Sequence, residues 1–281
     1  MKRGVRQVGC HNATVTIRMI ATDLDGTFFG PDHSPAPRTS AALNSAKAAG
    51  VICVAISGRG HGIGADLATS TGAQFDYFIG SNGGHRLNFA TGEMEEQLLF
   101  SPAEAAQAHA RFQAADEELE FGFEADDIRH WHPDFVALHP THLEGPARQP
   151  SDRADTPPAH TSKIFITHPR FQNKELAAHV KPHIDPSHNL AASGIGFLEL
   201  TPAGADKGSA IGRLCALLDI DASEVLAFGD NYNDLSLLEF AGHSVAMANA
   251  VDETRAVADE ITLSNAEFGV ATVLERLFDM S

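Results

Sequence analysis

A mainly parallel, three-layer α/β sheet interrupted by an inserted α+β cap is the architecture this sequence predicts. Three observations carry that expectation. Short β-branched runs alternate with helical patterns at both ends of the chain, and several runs empty into turns rich in Gly, Ser or Asp. The alternation then lapses over residues 88–192. Alternating strands and helices bury their apolar faces best as a parallel sheet with helices on both sides, a Rossmann-like core.

Taken in order, residues 17–21 form the first strand and residues 38–49 a helix closed by Gly50. Residues 51–56 read as a buried strand from their length and β-branched content. Residues 64–70 suit a short helix and 77–79 a strand. After the insert, Ile211, Leu214, Leu217 and Leu218 mark a helix that begins at Lys207. Val225–Phe228 is a strand, and Leu235, Leu237, Leu238 and Phe240 mark a helix stopping near Gly242. Residues 244–246 and 260–263 read as strands, 253–258 and 270–278 as helices.

The insert holds expected helices over 103–119 and 174–180 and strands over 163–167 and 196–200, the last leading back to the core. Residues 148–160, with Pro150, Pro157 and Pro158, break its middle as a loop. The expected organisation is therefore an N-terminal extension over 1–16, a core from 17–87 and 193–281, and a cap over 88–192. A cap placed there would cover the sheet's carboxyl edge, exclude water and set substrate choice. In the first 16 residues, Val5, Val8 and Cys10 are too scattered among Lys2, Arg3 and Arg6 for a signal peptide, and a disordered extension or a mis-assigned start is expected.

Composition narrows the function class. The 281 residues are 43% hydrophobic, enough for two cores. With 20 basic against 37 acidic residues, the net charge of −17 argues against nucleic acid or an anionic membrane surface as partner. No run approaches the roughly 20 apolar residues of a membrane helix. Cys10, Cys53 and Cys215 are odd in number, and two fall in apolar runs, which suits reduced thiols in a cytoplasm. Nothing in the sequence sets an oligomeric state.

Four short segments carry the chemistry. Asp23-Leu24-Asp25-Gly26-Thr27 follows an apolar run, which puts two carboxylates at the carboxyl end of a strand, where open α/β sheets bind ligands. Alone it could equally be a solvated Asx turn. Ser57-Gly58-Arg59 places a hydroxyl at the next strand end, although an ordinary turn would look the same. Lys207 starts a helix, where a cation works against the dipole and wants a reason. Gly229-Asp230-Asn231-Tyr232-Asn233-Asp234 crowds acids and amides onto one cap. Acid pair, Ser, Lys and acid pair in that order, each at a strand end or helix start, leave little room for a purely structural account.

These segments resemble the four motifs of the haloacid dehalogenase superfamily of phosphatases, and its Cof-type branch most closely. Ser81-Asn82-Gly83-Gly84, Val245-Ala246-Met247-Ala248-Asn249-Ala250 and Phe268-Gly269-Val270-Ala271 add to the likeness. Phe28-Phe29 and Gly84 depart from the usual small aliphatic residues and alanine, without touching a charged group. The resemblance implies Asp23 as nucleophile, Asp25 as acid/base and metal ligand, and Asp230 as third metal ligand.

The residue types agree with that chemistry. A phosphate monoester is a dianion, so a carboxylate nucleophile needs screening, and Mg²⁺ shared by Asp23, Asp25 and Asp230 would supply it. Thr27, Ser57, Gly58, Arg59, Asn82 and Asn233 are the expected phosphate and substrate contacts, Lys207 a point charge for the transferring group, and Asp234 a residue that orients either Lys207 or a metal-bound water. The expectation is a phosphatase acting on a small phosphorylated metabolite, a sugar phosphate or phosphorylated cofactor. A sugar phosphomutase or a non-catalytic phosphometabolite sensor remain alternatives. In the insert, His130, His132, His139 and His142 lack zinc-ligand spacing and are expected to be packed or exposed, and Trp131 to be a cap-core residue.

Overall fold

The structure, a computed structural model, describes residues 8–10, 13–34, 36–126, 128–139, 148–150, 156–192 and 196–278. It divides into two compact units, one of residues 1–96 and 207–281 and one of residues 97–206.

The first unit is built on an eight-stranded sheet. Its order is Glu260–Ile261, His243–Ala246, Val225–Gly229, Met19–Asp23, Ile52–Ile56, Tyr77–Gly80, His85–Asn88 and Glu93–Gln97. The first six run parallel, and Tyr77–Gly80 pairs antiparallel with His85–Asn88. Successive side chains of each central strand point to opposite faces. Ile20, Cys53, Ala55, Phe78, Leu226, Phe228 and Val245 enter one core with the helices Pro37–Ala48 and Gly269–Leu277. Met19, Ala21, Val54, Ile56, Val225 and Ala227 enter another with Lys207–Leu218 and Leu235–Phe240. The sheet is thus buried on both faces, which is why its strands read as continuous apolar runs, and the three-layer expectation holds.

Met19–Asp23 lies between Val225–Gly229 and Ile52–Ile56. The chain leaves it in one direction and returns on the other side, so a topological switch point falls beside its carboxyl end. Open α/β sheets bind ligands at such points.

The second unit has its own sheet, in the order Arg148–Pro150, Ile128–Trp131, Glu120–Ala125, Thr161–Thr167, Leu198–Thr201, Asn189–Ala192. One face packs Phe121, Phe123, Ile164, Ile166, Leu198 and Leu200 against the helices Pro102–Ala115 and Asn173–Val180, through Phe112 and Leu176. On the other, Trp131 meets Phe165 at 4.7 Å and Phe135 at 4.9 Å between ring centroids. Trp131 is accordingly a core residue. Gly122 permits it: a Cβ there would sit 2.3 Å from the indole.

Several expectations shift. The unit boundaries fall at 97 and 206 rather than at 88 and 192, because His85–Asn88 and Glu93–Gln97 extend the first sheet and Leu198–Thr201 belongs to the second. The helix expected over 103–119 ends at Ala115, and the strands Glu120–Ala125 and Ile128–Trp131 went unread because acids and Gly122 interrupt their apolar pattern. Arg148–Pro150 forms a strand inside the expected loop, pairing parallel with Arg129–Trp131. Val8–Cys10 and Ala13–Val15 pair antiparallel where disorder was expected, while residues 1–7, 11 and 12 lie outside the described residues. Among the described residues, no helix is long and apolar enough to cross a membrane.

Several of the insert's histidines have structural partners. His139 Nε2 lies 2.7 Å from Thr167 Oγ1, and His132 Nδ1 2.9 Å from Glu120 Oε2; His142 lies outside the described residues. His179 and His168 both approach Asp116, at 2.8 and 3.3 Å. His168 Nδ1 accepts from the Arg170 backbone N–H at 3.0 Å. Its ring proton therefore resides on Nε2, facing the carboxylate, and no lone pair is offered there to a cation.

Trp131, the chain's single tryptophan, is 2% exposed. Its fluorescence should be blue-shifted from that of free indole and insensitive to iodide; ready quenching in the native protein would contradict this packing.

Candidate active site

Asp23 ends its strand, and the chain then reverses through Gly26 at φ +82°. A Cβ on Gly26 would lie 2.4 Å from Asp230 Oδ2, so close approach and backbone sign both demand glycine. Thr27 Oγ1 donates to Asp230 Oδ1 at 2.7 Å, which joins the first acidic segment to the last. Asn249 Nδ2 braces the turn by donating to the Gly26 carbonyl at 2.8 Å.

Lys207 opens its helix with the side chain fully buried, and the reason for a cation at that end is now visible. Its Nζ donates to Asp23 Oδ1 at 2.6 Å and to Asp234 Oδ1 at 2.5 Å. Asp234 Oδ2 in turn accepts from the Asp230 and Asn231 backbone N–H groups, each at 3.0 Å. One buried carboxylate thus orients the lysine and shapes the loop that carries Asp230.

Burial and the neighbouring Asp234, Asp230 and Asp25 push the Asp23 carboxyl well above the usual range, against the opposing pull of Lys207. Burial and Asp234 push Asp230 up to about 7 although Thr27 donates to it. Burial works against the Lys207 ammonium, yet Asp23 and Asp234 hold its pKa above the ordinary lysine range. Buried, partly protonatable acids around one lysine form an electrostatically frustrated cluster that a further positive charge would relieve. Ligand atoms of Asp23, Asp230 and Asp234 lie within 4.8 Å of one another, so a hard, oxygen-liganded cation suits the donor set.

The sequence-predicted residues are distributed as follows. Asp23, Lys207, Asp230, Asp234 and Thr27 converge. Ser57 is buried at the adjacent strand end, where its Oγ accepts from the Arg59 N–H at 3.2 Å and its carbonyl from the Asn82 N–H at 3.0 Å. Asn233 Nδ2 donates to Asn82 Oδ1 at 3.0 Å, and that oxygen would lie 3.0 Å from a Cβ on Gly58. Asp25 and Arg59 pair with each other, Nε to Oδ2 at 2.6 Å and Nη2 to Oδ1 at 2.8 Å. The Asp25 carboxylate is therefore held by Arg59, outside the trio of Asp23, Asp230 and Asp234. Despite burial, Arg59 and then His33 keep the Asp25 carboxyl below its usual range.

Sequence reasoning did not single out His33 or the bracing role of Asn249. A histidine eight residues past Asp25 carried no periodic or spacing signal.

An aspartate at the switch point of a parallel α/β sheet, anchored on a buried lysine and facing a second acid pair, defines an enzyme of phosphoryl transfer. The family profile described as haloacid dehalogenase-like hydrolase matches residues 20–274. The chain belongs to that family, and the enzyme class is phosphatase, as the sequence resemblance implied. The putative phosphatase YxeH of Bacillus subtilis (strain 168) is 28% identical over 271 residues, 92% of this chain and 98% of that one. An HMP-PP phosphatase of Serratia proteamaculans (strain 568) is 27% identical over 254 residues, 87% of this chain and 88% of that one. In three dimensions the chain is similar to SMU.1108c of Streptococcus mutans UA159, with a TM-score of 0.80 at 21% identity, covering 94% of this chain and 100% of that one.

Two measurements test the electrostatics. Lys207→Met leaves two buried carboxylates without their cation and should lower metal-free stability by about 3–5 kcal/mol in urea unfolding with EDTA; a loss below about 1 kcal/mol would show that the pairing is dispensable. For Asp230, the folded chain binds its proton more tightly than the unfolded chain does, so its stabilising contribution, present below the ordinary 3.8, is lost as pH rises toward about 7. Metal-free Asp230→Asn should lack that component of the pH slope, and an unchanged slope would assign it elsewhere.

Proposed function

We propose that this protein is a Mg²⁺-dependent phosphatase that hydrolyses a small phosphorylated metabolite, a sugar phosphate or phosphorylated cofactor, through an aspartyl-phosphate. The observation that carries the reading is Asp23 at its strand end with Oδ1 anchored on Lys207 Nζ at 2.6 Å. Anchoring one oxygen leaves Oδ2 for bond formation to phosphorus. Asp23 and Asp230 would hold the Mg²⁺, with Asp234 beside them as the partner of Lys207, and the ion when bound would supply charge screening between the phosphate dianion and the nucleophile.

The chain's own groups account for the remaining steps. Asp23 forms an O–P bond as the ester P–O bond breaks, and the departing oxygen takes a proton from Asp25, which must bind that proton against the pull of Arg59 and His33. Water then attacks phosphorus, the Asp23–phosphorus bond breaks, and the water's proton goes to Asp25, which restores the starting state. Ser57 and the strand-end amides suit the equatorial oxygens, and Lys207 holds positive charge beside the transferring group. The Asn82–Asn233 pair supplies amide groups at the neighbouring strand end. The relative named for HMP-PP favours a small organic phosphate over a phosphoprotein or nucleic acid, as does the net charge of −17.

Phosphate release by the purified protein over a panel of phosphorylated metabolites tests this. Turnover with Mg²⁺ should fall to the blank rate with EDTA and in Asp23→Asn. Metal-independent or mutant-insensitive release would overturn the reading, and saturable binding without turnover would favour a sensor.

A further inference from the structure

Arg59 is held along one edge of its guanidinium. Nε donates to Asp25 Oδ2 at 2.6 Å and Nη2 to Asp25 Oδ1 at 2.8 Å. Asp25 is itself steadied by His33, whose Nδ1 lies 2.7 Å from Oδ1. The backbone is fixed as well: the Arg59 N–H donates to Ser57 Oγ at 3.2 Å, and the Arg59 carbonyl accepts from the Ser81 N–H at 2.7 Å. A Cβ on Gly80 would lie 3.0 Å from that carbonyl, so the next strand end packs close against it.

A guanidinium has five N–H groups, and Asp25 takes two, which leaves three. Two of these, one on Nη1 and the second on Nη2, point the same way and form the fork that matches the paired oxygens of a carboxylate or phosphate. Among the described residues no acceptor meets that fork. With the side chain 29% exposed, a solute can reach it. The bond to Asp25 raises the Arg59 pKa against the effect of burial, and Asp23 adds to this, so the charge lies within electrostatic reach of the nucleophile. Lys207 offers no comparable edge, because its side chain is fully buried between Asp23 and Asp234.

We propose that the outer fork of Arg59 binds a second oxyanion of the substrate, so that the preferred substrates are small phosphate monoesters whose leaving group carries a carboxylate or another phosphate. The proposal rests on the phosphatase reading, with phosphorus at Asp23. Lys207 serves the transferring phosphoryl group there, whereas Arg59 is bound to Asp25, outside the trio of Asp23, Asp230 and Asp234. Its fork therefore meets the remainder of the substrate. Beside Asp23, Asp25, Asp230 and Asp234, a further negative charge on the substrate is unfavourable unless a positive group faces it directly. A guanidinium already fixed in plane by one carboxylate loses little more freedom on taking a second oxyanion, which favours affinity.

Matched esters that differ only at the second group test this. Phosphoserine and phosphoethanolamine differ by a carboxylate, fructose 1,6-bisphosphate and fructose 6-phosphate by a phosphate. In the wild type, kcat/KM for the anionic member of at least one pair should exceed that of its partner by about tenfold or more, above the doubling that two ester groups give by number alone. Arg59→Lys, which keeps a charge for Asp25 but has no fork, should shrink that ratio to about twofold. The ratio cancels any loss that both esters share through Asp25, and the pair that responds tells carboxylate from phosphate. As a readout without turnover, Asp23→Asn should bind the same anionic ester about tenfold more tightly than its partner in calorimetry with Mg²⁺, and adding Arg59→Lys should abolish the difference. An active wild type with no preference in either pair, one that takes only esters lacking a second anion, or a ratio unchanged in Arg59→Lys overturns this inference alone. A wild type inert toward both pairs and the metabolite panel overturns the phosphatase reading itself.

Discussion

The buried ammonium of Lys207 between Asp23 and Asp234 ties together three segments: the end of the strand Met19–Asp23, the start of a helix and the loop after Val225–Gly229. Removing a charge from water is costly, and such a pairing persists only where geometry is good and remaining lone pairs are satisfied. Asp234 meets that condition by spending its second oxygen on two backbone N–H groups. The same bonds shape the loop presenting Asp230, so the counter-ion of the lysine is also the scaffold of the opposing acid.

That economy explains the site's electrostatic asymmetry. Asp23 and Asp230 are raised because acids are crowded into a buried space, whereas Asp25 is lowered by Arg59 and His33. Two carboxylates separated by one residue therefore occupy opposite environments. In the proposed mechanism these divide the labour between bond formation at phosphorus and proton transfer to and from the departing and attacking oxygens.

The inserted unit shows a different use of polar groups. His132, His139, His168 and His179 are engaged with Glu120, Thr167 and Asp116, tying strand ends and helices together within one small sheet. Aromatic packing around Trp131 fills the face that the two longer helices do not cover, with Gly122 making room for the indole.

Much of the core was legible in the sequence, because a sheet buried on both faces needs runs such as Cys53-Val54-Ala55-Ile56 that are apolar at every position, and because site residues stand at the ends of such runs, at a helix start or on a crowded cap. Asp23, Ser57, Lys207, Asp230 and Asp234 could be named for that reason. The inserted unit was less legible: its sheet has polar residues inside its strands, as in Glu120–Ala125, and Gly122 is there to accept an indole from another strand, which no local pattern records. Tertiary structure alone decided which acid each cation meets. Residue types and strand-end positions are local properties written in the chain, whereas pairing Arg59 and His33 with Asp25, and Lys207 with Asp23 and Asp234, depends on distances across turns and between strands that exist only once the sheet has formed.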